Sequence, residues 1–251
     1  MFPLFDTTEL QGAFEGFCFE LCVIASVAVM STLAFNKYLQ KNKNFAAFLL
    51  FLMFLNWTIA VVFSWLAKVL TVFSYQGGSG PDITDASSYV IRMILDFRLL
   101  FLFVAIALYC SYMLRVKLFE KNYASGERSI NIVFLIVIPI LCFVLNEKNN
   151  TLYTVIIFAL VFVDMLLVYT PFMRRSLAAH KSADPKFKGA FMALSLMSLF
   201  FILTFLNFLL DQVFLAIINQ GYTIFYFGAW ICAVIAIVLT YFGYIKQRGS
   251  T

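Results

Sequence analysis

The chain has 251 residues, 63% of them hydrophobic and only 12% charged, with 31 Phe and a net charge of +5. An ordinary soluble domain is about 45–50% apolar and about 25% charged, so too few polar side chains remain to coat a water-soluble globule, and a soluble catalytic or DNA-binding domain is excluded. The composition is that of an all-α polytopic membrane protein, one membrane domain over residues 1–251.

The chain opens with MFPLFDTTELQGAFEGF, which carries Asp6, Glu9 and Glu15 and no basic stretch. It reads as a short acidic tail and not as a cleavable signal peptide. Within it, Gly12 and Gly16 have the small-xxx-small spacing of associating helices, mostly outside lipid here.

A crossing helix needs about 20 apolar residues. Seven segments qualify, at about 17–35, 45–70, 89–114, 130–145, 152–173, 189–218 and 222–245. The first holds Glu20 and the pair Cys18 and Cys22, with no further ligand to complete a metal site. No disulfide, metal or cofactor is expected.

The second span holds Asn56, Trp57 and, near its end, Lys68. The loop after it, QGGSGPDITDASS, is Gly/Ser-rich and lacks the spacing of a phosphate loop. The third span, beginning YVIRMILDFRLLFLFVAIALY, carries Arg92, Asp96 and Arg98 in its first half. From Leu99 to Leu114 it is uncharged. That stretch is about 24 Å long, against a hydrocarbon core of about 30 Å. The residues from Leu95 to Arg98 are therefore expected to be drawn into the membrane. Arg92 and Asp96 share a helix face and can pair, whereas Arg98 points elsewhere.

The fourth span is the shortest and contains Pro139, a kink signal. The fifth has Asp164 near its middle, where insertion costs about 2.5–3.5 kcal/mol and the side chain must face the bundle interior. The sixth carries Asn207 and Asp211 toward its far end, and the seventh has no charge. The FLNW run at Phe54–Trp57 is echoed by FLNF at Phe205–Phe208, which points to a duplicated three-helix unit, spans one to three and five to seven, although the two asparagines lie at different depths. Trp57 is read as packing, and Trp65 and Trp230 as interfacial.

Basic residues settle the expected direction. Fourteen of the 18 Lys and Arg fall in the odd-numbered loops and the C-terminal tail, whereas the even-numbered loops contribute only Lys148. Basic loops stay in the cytoplasm, so the N-terminus is expected outside and the C-terminus inside a cell membrane. His180, the only histidine, falls in a basic loop and is expected to be solvated.

On this orientation Lys68, Arg92, Asp96, Arg98, Asn207 and Asp211, with Glu20, collect toward the outer end, and Asp164 and Asn56 lie deeper. The outer set is the candidate ligand-binding vestibule. No catalytic residues are assigned. HExxH, GxSxG and CxxC are absent, and the seventh span has no lysine for a Schiff-base chromophore.

One resemblance goes further. FLNWTIAVVFSWLAKVL, the charged start of span three, YCSYMLRVKLFEKN and IVIPILCFVLNEKN resemble the seven-helix N-terminal sensor region of prokaryotic histidine kinases over residues 45–150. The resemblance implies a sensor feeding a cytoplasmic output domain. Only KQRGST follows Ile245, so the output is expected on a separate cytoplasmic signalling protein. The expected function is a sensor or receptor-like module for an unidentified small ligand. The alternatives are a transporter or proton/ion conductor using Asp164, and a non-catalytic subunit of a membrane complex. The lipid bilayer is the expected surrounding partner, a homo-oligomer is left open, and nucleic acid is excluded.

Overall fold

The computed structural model describes residues 7–40, 44–73, 85–120, 125–145, 151–218 and 221–245. They form eight α-helices: α1 (Thr7–Gln40), α2 (Phe45–Phe73), α3 (Ala86–Leu95), α4 (Arg98–Phe119), α5 (Ser125–Val144), α6 (Thr151–Ser182), α7 (Pro185–Ile218) and α8 (Ile224–Thr240). A π-helical turn, Tyr241–Ile245, extends α8. Seven are long and apolar enough to cross a membrane, and α3 is the short exception. The protein is therefore an all-α, multi-pass membrane protein with seven spans.

The third span is not the single helix expected over 89–114. It breaks at Asp96 and Phe97, where Phe97 takes a left-handed backbone conformation (φ 58°, ψ 16°). The cause of the misreading is Arg115. A charge at that position looks like the end of a span, but Arg115 is buried and α4 runs on to Phe119. Its 22 residues rise about 33 Å, enough to cross alone. Nothing before Arg98 is needed to complete the span.

The helices close a ring. α1 packs on α2, α2 on α4, α4 on α6, α6 on α7, α7 on α8, and α8 returns to α1. α5 stands outside the ring against α4 and α6, with Ile136 and Ile140 among its exposed apolar residues. Replacing α1, α2 and α4 by α6, α7 and α8 reproduces the same order of neighbours. The echoed sequence falls at equivalent places in this pattern. Trp57 of α2 and Phe208 of α7 each pack against both apolar core clusters found among the described residues. Trp57 also stacks on Phe201 and meets Phe205 edge-on, at centroid distances of 5.8 and 5.7 Å.

At the end of the bundle holding the α4–α5 connection, charges bind neighbouring helices. Arg115 of α4 pairs with Glu127 of α5 and lies 3.9 Å from Glu120, which is also 3.8 Å from Arg175 of α6. At the opposite end, Asp211 of α7 accepts from the Thr223 backbone N–H (2.9 Å) and hydroxyl (2.8 Å). Thr223 in turn caps α8. This carboxylate therefore fixes the α7–α8 turn by supplying an acceptor where the helix start has unpaired donors.

Candidate functional site

Four helix positions build a sealed polar cluster. Glu20 comes from α1, Ser64 and Lys68 from one face of α2, and Tyr226 from the first turn of α8; all four are buried. Glu20 Oε1 accepts from Ser64 Oγ at 2.7 Å, Lys68 Nζ at 2.8 Å and Tyr226 Oη at 2.8 Å. Lys68 Nζ also lies 3.1 Å from Ser64 Oγ. The rings of Phe97 and Tyr226 flank the ammonium at 5.1 and 5.2 Å, where their π-faces favour a desolvated cation. Glu20 Oε2 has no hydrogen-bond partner.

Glycine lets the helices come this close. A Cβ on Gly16 would stand 2.9 Å from Tyr226 Oη and 3.2 Å from Lys68 Cε, and one on Gly12 would stand 2.9 Å from Tyr222 Cβ. The small-xxx-small pair therefore seats α8 against α1 within the chain.

Ser64, Lys68 and Tyr226 of the cluster also line a cavity of about 70 Å³ enclosed by the ring of helices. A water needs roughly 10–15 Å³ measured this way, so the space holds several waters or one small group. α1, α2, α4, α6, α7 and α8 all contribute to its walls, which are almost entirely apolar. Lys68 and Gln212 reach it among the polar side chains, and Trp57 and Trp230 form part of its aromatic lining. The indole Nε1 of Trp57 is buried without an acceptor, whereas that of Trp230 is directed at the neighbouring Tyr226 hydroxyl. Trp230 thus faces the interior and not an interface, a correction to the expectation from sequence.

The residues expected to share one vestibule each have their own local contacts. Lys68 belongs to the cluster and the cavity. Asp211 is engaged by Thr223. Asn207 and Asn56 each donate to the carbonyl four residues earlier, Leu203 and Leu52, at 2.9 and 2.8 Å. Asp164 is 3% exposed on α6, and its Oδ1 has no partner.

Arg92, Asp96 and Arg98 remain together at the α3–α4 break. Arg92 Nε is 3.7 Å from Asp96 Oδ2. Arg98, just beyond the break, directs its guanidinium to Thr154 Oγ1 of α6 at 3.2 Å. Sequence reasoning missed Ser64, Tyr226 and Trp230 as partners. The four-residue steps from Gly16 to Glu20 and from Ser64 to Lys68 were the available signal.

No protein-family model, curated protein or solved structure matches this chain. The resemblance to kinase sensor regions rests on the quoted residues alone.

Proposed function

We propose that this seven-span protein is a receptor-like module that binds a small, largely apolar, uncharged molecule in the central cavity. The cavity itself carries the reading. Its walls favour an apolar body, and the Lys68–Glu20 pair neutralises the two charges at its polar end. The unpaired indole N–H of Trp57 calls for a hydrogen-bond acceptor, such as a ketone, ester or alcohol oxygen. This reading takes the ring centre as the ligand site, with Lys68 in its wall, rather than the wider outer vestibule.

A ligand touching both three-helix units can bias how they pack. The Arg115, Glu120, Glu127 and Arg175 group ties α4 to α6 at the far end, where a cytoplasmic signalling partner would read the change. The charge bias of the loops supports an orientation with that end in the cytoplasm and the N-terminus outside a cell membrane.

Thermal unfolding of the purified protein with medium-chain ketones, esters and alcohols tests the binding reading. A saturable rise in unfolding temperature that Ala60→Phe abolishes is expected. The same rise in that variant, whose new ring occupies the cavity, would remove the site.

A second reading, proton or ion conduction, draws on the buried, unpartnered Oδ1 of Asp164. It predicts flux in proteoliposomes that Asp164→Asn stops. Flux that survives the substitution would dismiss it.

A further inference from the structure

We infer that the α3–α4 break is an oxyanion site, in which Arg92 and Arg98 hold a carboxylate or phosphate group carried by a membrane lipid or by a free solute. This site lies outside the central cavity, and the inference does not depend on the cavity's ligand.

The first observation is the break itself. Asp96 N–H donates to the Arg92 carbonyl and Phe97 N–H to the Ile94 carbonyl, which ends α3. α4 then starts at Arg98 behind Phe97, which supplies no side-chain cap. A helix start presents unpaired amides and the positive end of the helix dipole. Where a broken helix occurs at a membrane protein's ligand site, such a start characteristically faces an anion.

The second observation is independent and concerns side chains. Arg98 is 1% exposed. Its Nη2 donates to Thr154 Oγ1 at 3.2 Å, but Nε and Nη1 have no partner. Arg92 is 6% exposed, and its Nη2 also lacks a partner. Its Nε stands 3.7 Å from Asp96 Oδ2, beyond hydrogen-bond range. Three buried guanidinium nitrogens on two arginines are thus without acceptors, an arrangement that costs stability unless something accepts from them.

Charge specifies what that is. Arg92, Asp96 and Arg98 together carry two positive charges and one negative, leaving one positive charge uncompensated in the trio. Asp96 is also the trio's open member, its side chain 34% exposed, which gives a route for a headgroup or solute. A planar guanidinium pairs best with a carboxylate or phosphate, through parallel N–H contacts that a halide cannot offer. Phe97 separates this site from the cavity, because its backbone forms the break while its ring lies over Lys68.

The test measures the unfolding temperature of the detergent-purified protein titrated with sodium phosphate or sodium acetate, against sodium chloride at matched ionic strength. A parallel arm compares nanodiscs of phosphatidylglycerol with nanodiscs of digalactosyldiacylglycerol, which has no phosphate. Arg92→Gln and Asp96→Asn are the principal variants, and Arg98→Gln is added if it folds. If the anion is a solute, phosphate or acetate stabilises the wild type saturably and chloride does not. Arg92→Gln then weakens that response about tenfold or more, the loss of one charge-assisted contact, and Asp96→Asn strengthens it by removing the competing carboxylate. If the anion is a lipid headgroup, phosphatidylglycerol stabilises the wild type over the galactolipid, and Arg92→Gln narrows the difference. Phosphate, acetate and chloride acting alike, with no lipid difference that depends on Arg92, would overturn the inference.

Discussion

Lys68 Nζ lies 2.8 Å from Glu20 Oε1, with both side chains sealed from solvent. The pair joins the first two spans 48 residues apart in sequence, and Tyr226 extends it to the last. Removing one partner strands the other's charge, which typically costs about 3–5 kcal/mol. Lys68→Met and Glu20→Gln are each expected to destabilise by that amount, and the double variant by much less than their sum. Denaturant or thermal unfolding of all four proteins, arranged as a double-mutant cycle, checks this.

The glycines of α1 give a sharper steric test. Gly16→Ala puts a methyl 2.9 Å from Tyr226 Oη, and Gly12→Ala puts one 2.9 Å from Tyr222 Cβ. Each is expected to cost about 1–3 kcal/mol, as overpacking does. Gly126→Ala meets nothing within 4 Å and sits in the first turn of α5. It is expected to be neutral or to stabilise by up to about 1 kcal/mol through helix propensity. Unfolding temperatures of the three variants measure the contrast.

At the other end, Arg115 is buried, hydrogen-bonded to Glu127 and only loosely paired with Glu120. Glu127→Gln is expected to destabilise more than Glu120→Gln, by about 1–3 kcal/mol against less than 1 kcal/mol, because only the first removes a charge-assisted hydrogen bond from a buried guanidinium. Equal losses in unfolding experiments would argue against that ranking.

The start of α3 should respond to acid. Asp85 accepts from the Ser88 backbone N–H at 2.7 Å. That bond, followed by those from the Ser87 and Ser88 side chains, holds its carboxyl below the ordinary value of 3.8. A carboxyl lowered on folding stabilises the fold above its unfolded value and loses that contribution as pH falls through the folded one. Amide protection in the first turn of α3, corrected for intrinsic exchange, is expected to hold at neutral pH and decline below 3.8. Asp85→Ala should lack this pH dependence.

The spans were legible because a run of apolar residues has few alternatives in this composition. The ends of the third span were not. A charge at Arg115 signals the end of a span in the sequence, whereas its burial against Glu127 depends on a helix that follows it. The break at Phe97 has neither Gly nor Pro to announce it, and a left-handed phenylalanine has no local sequence signature. Lys68 and Glu20 were each recognisable as costly in a membrane, but their pairing requires the ring that brings α1, α2 and α8 together. The two halves were faintly visible as FLNW and FLNF. The meaning of that echo, an aromatic from each half packed against both cores, exists only once the helices assemble.

Two of the chain's three tryptophans, Trp57 and Trp230, line the cavity, so their fluorescence reports its occupancy. The most direct measurement is a fluorescence titration of the purified protein with a neutral medium-chain ketone. Wild type, Trp230→Phe and Ala60→Phe are compared, with the matching alkane as control. A saturable spectral change is expected in the wild type, weaker for the alkane, diminished in Trp230→Phe and absent in Ala60→Phe. An identical response from Ala60→Phe, or ketone and alkane acting alike, would contradict binding in the cavity.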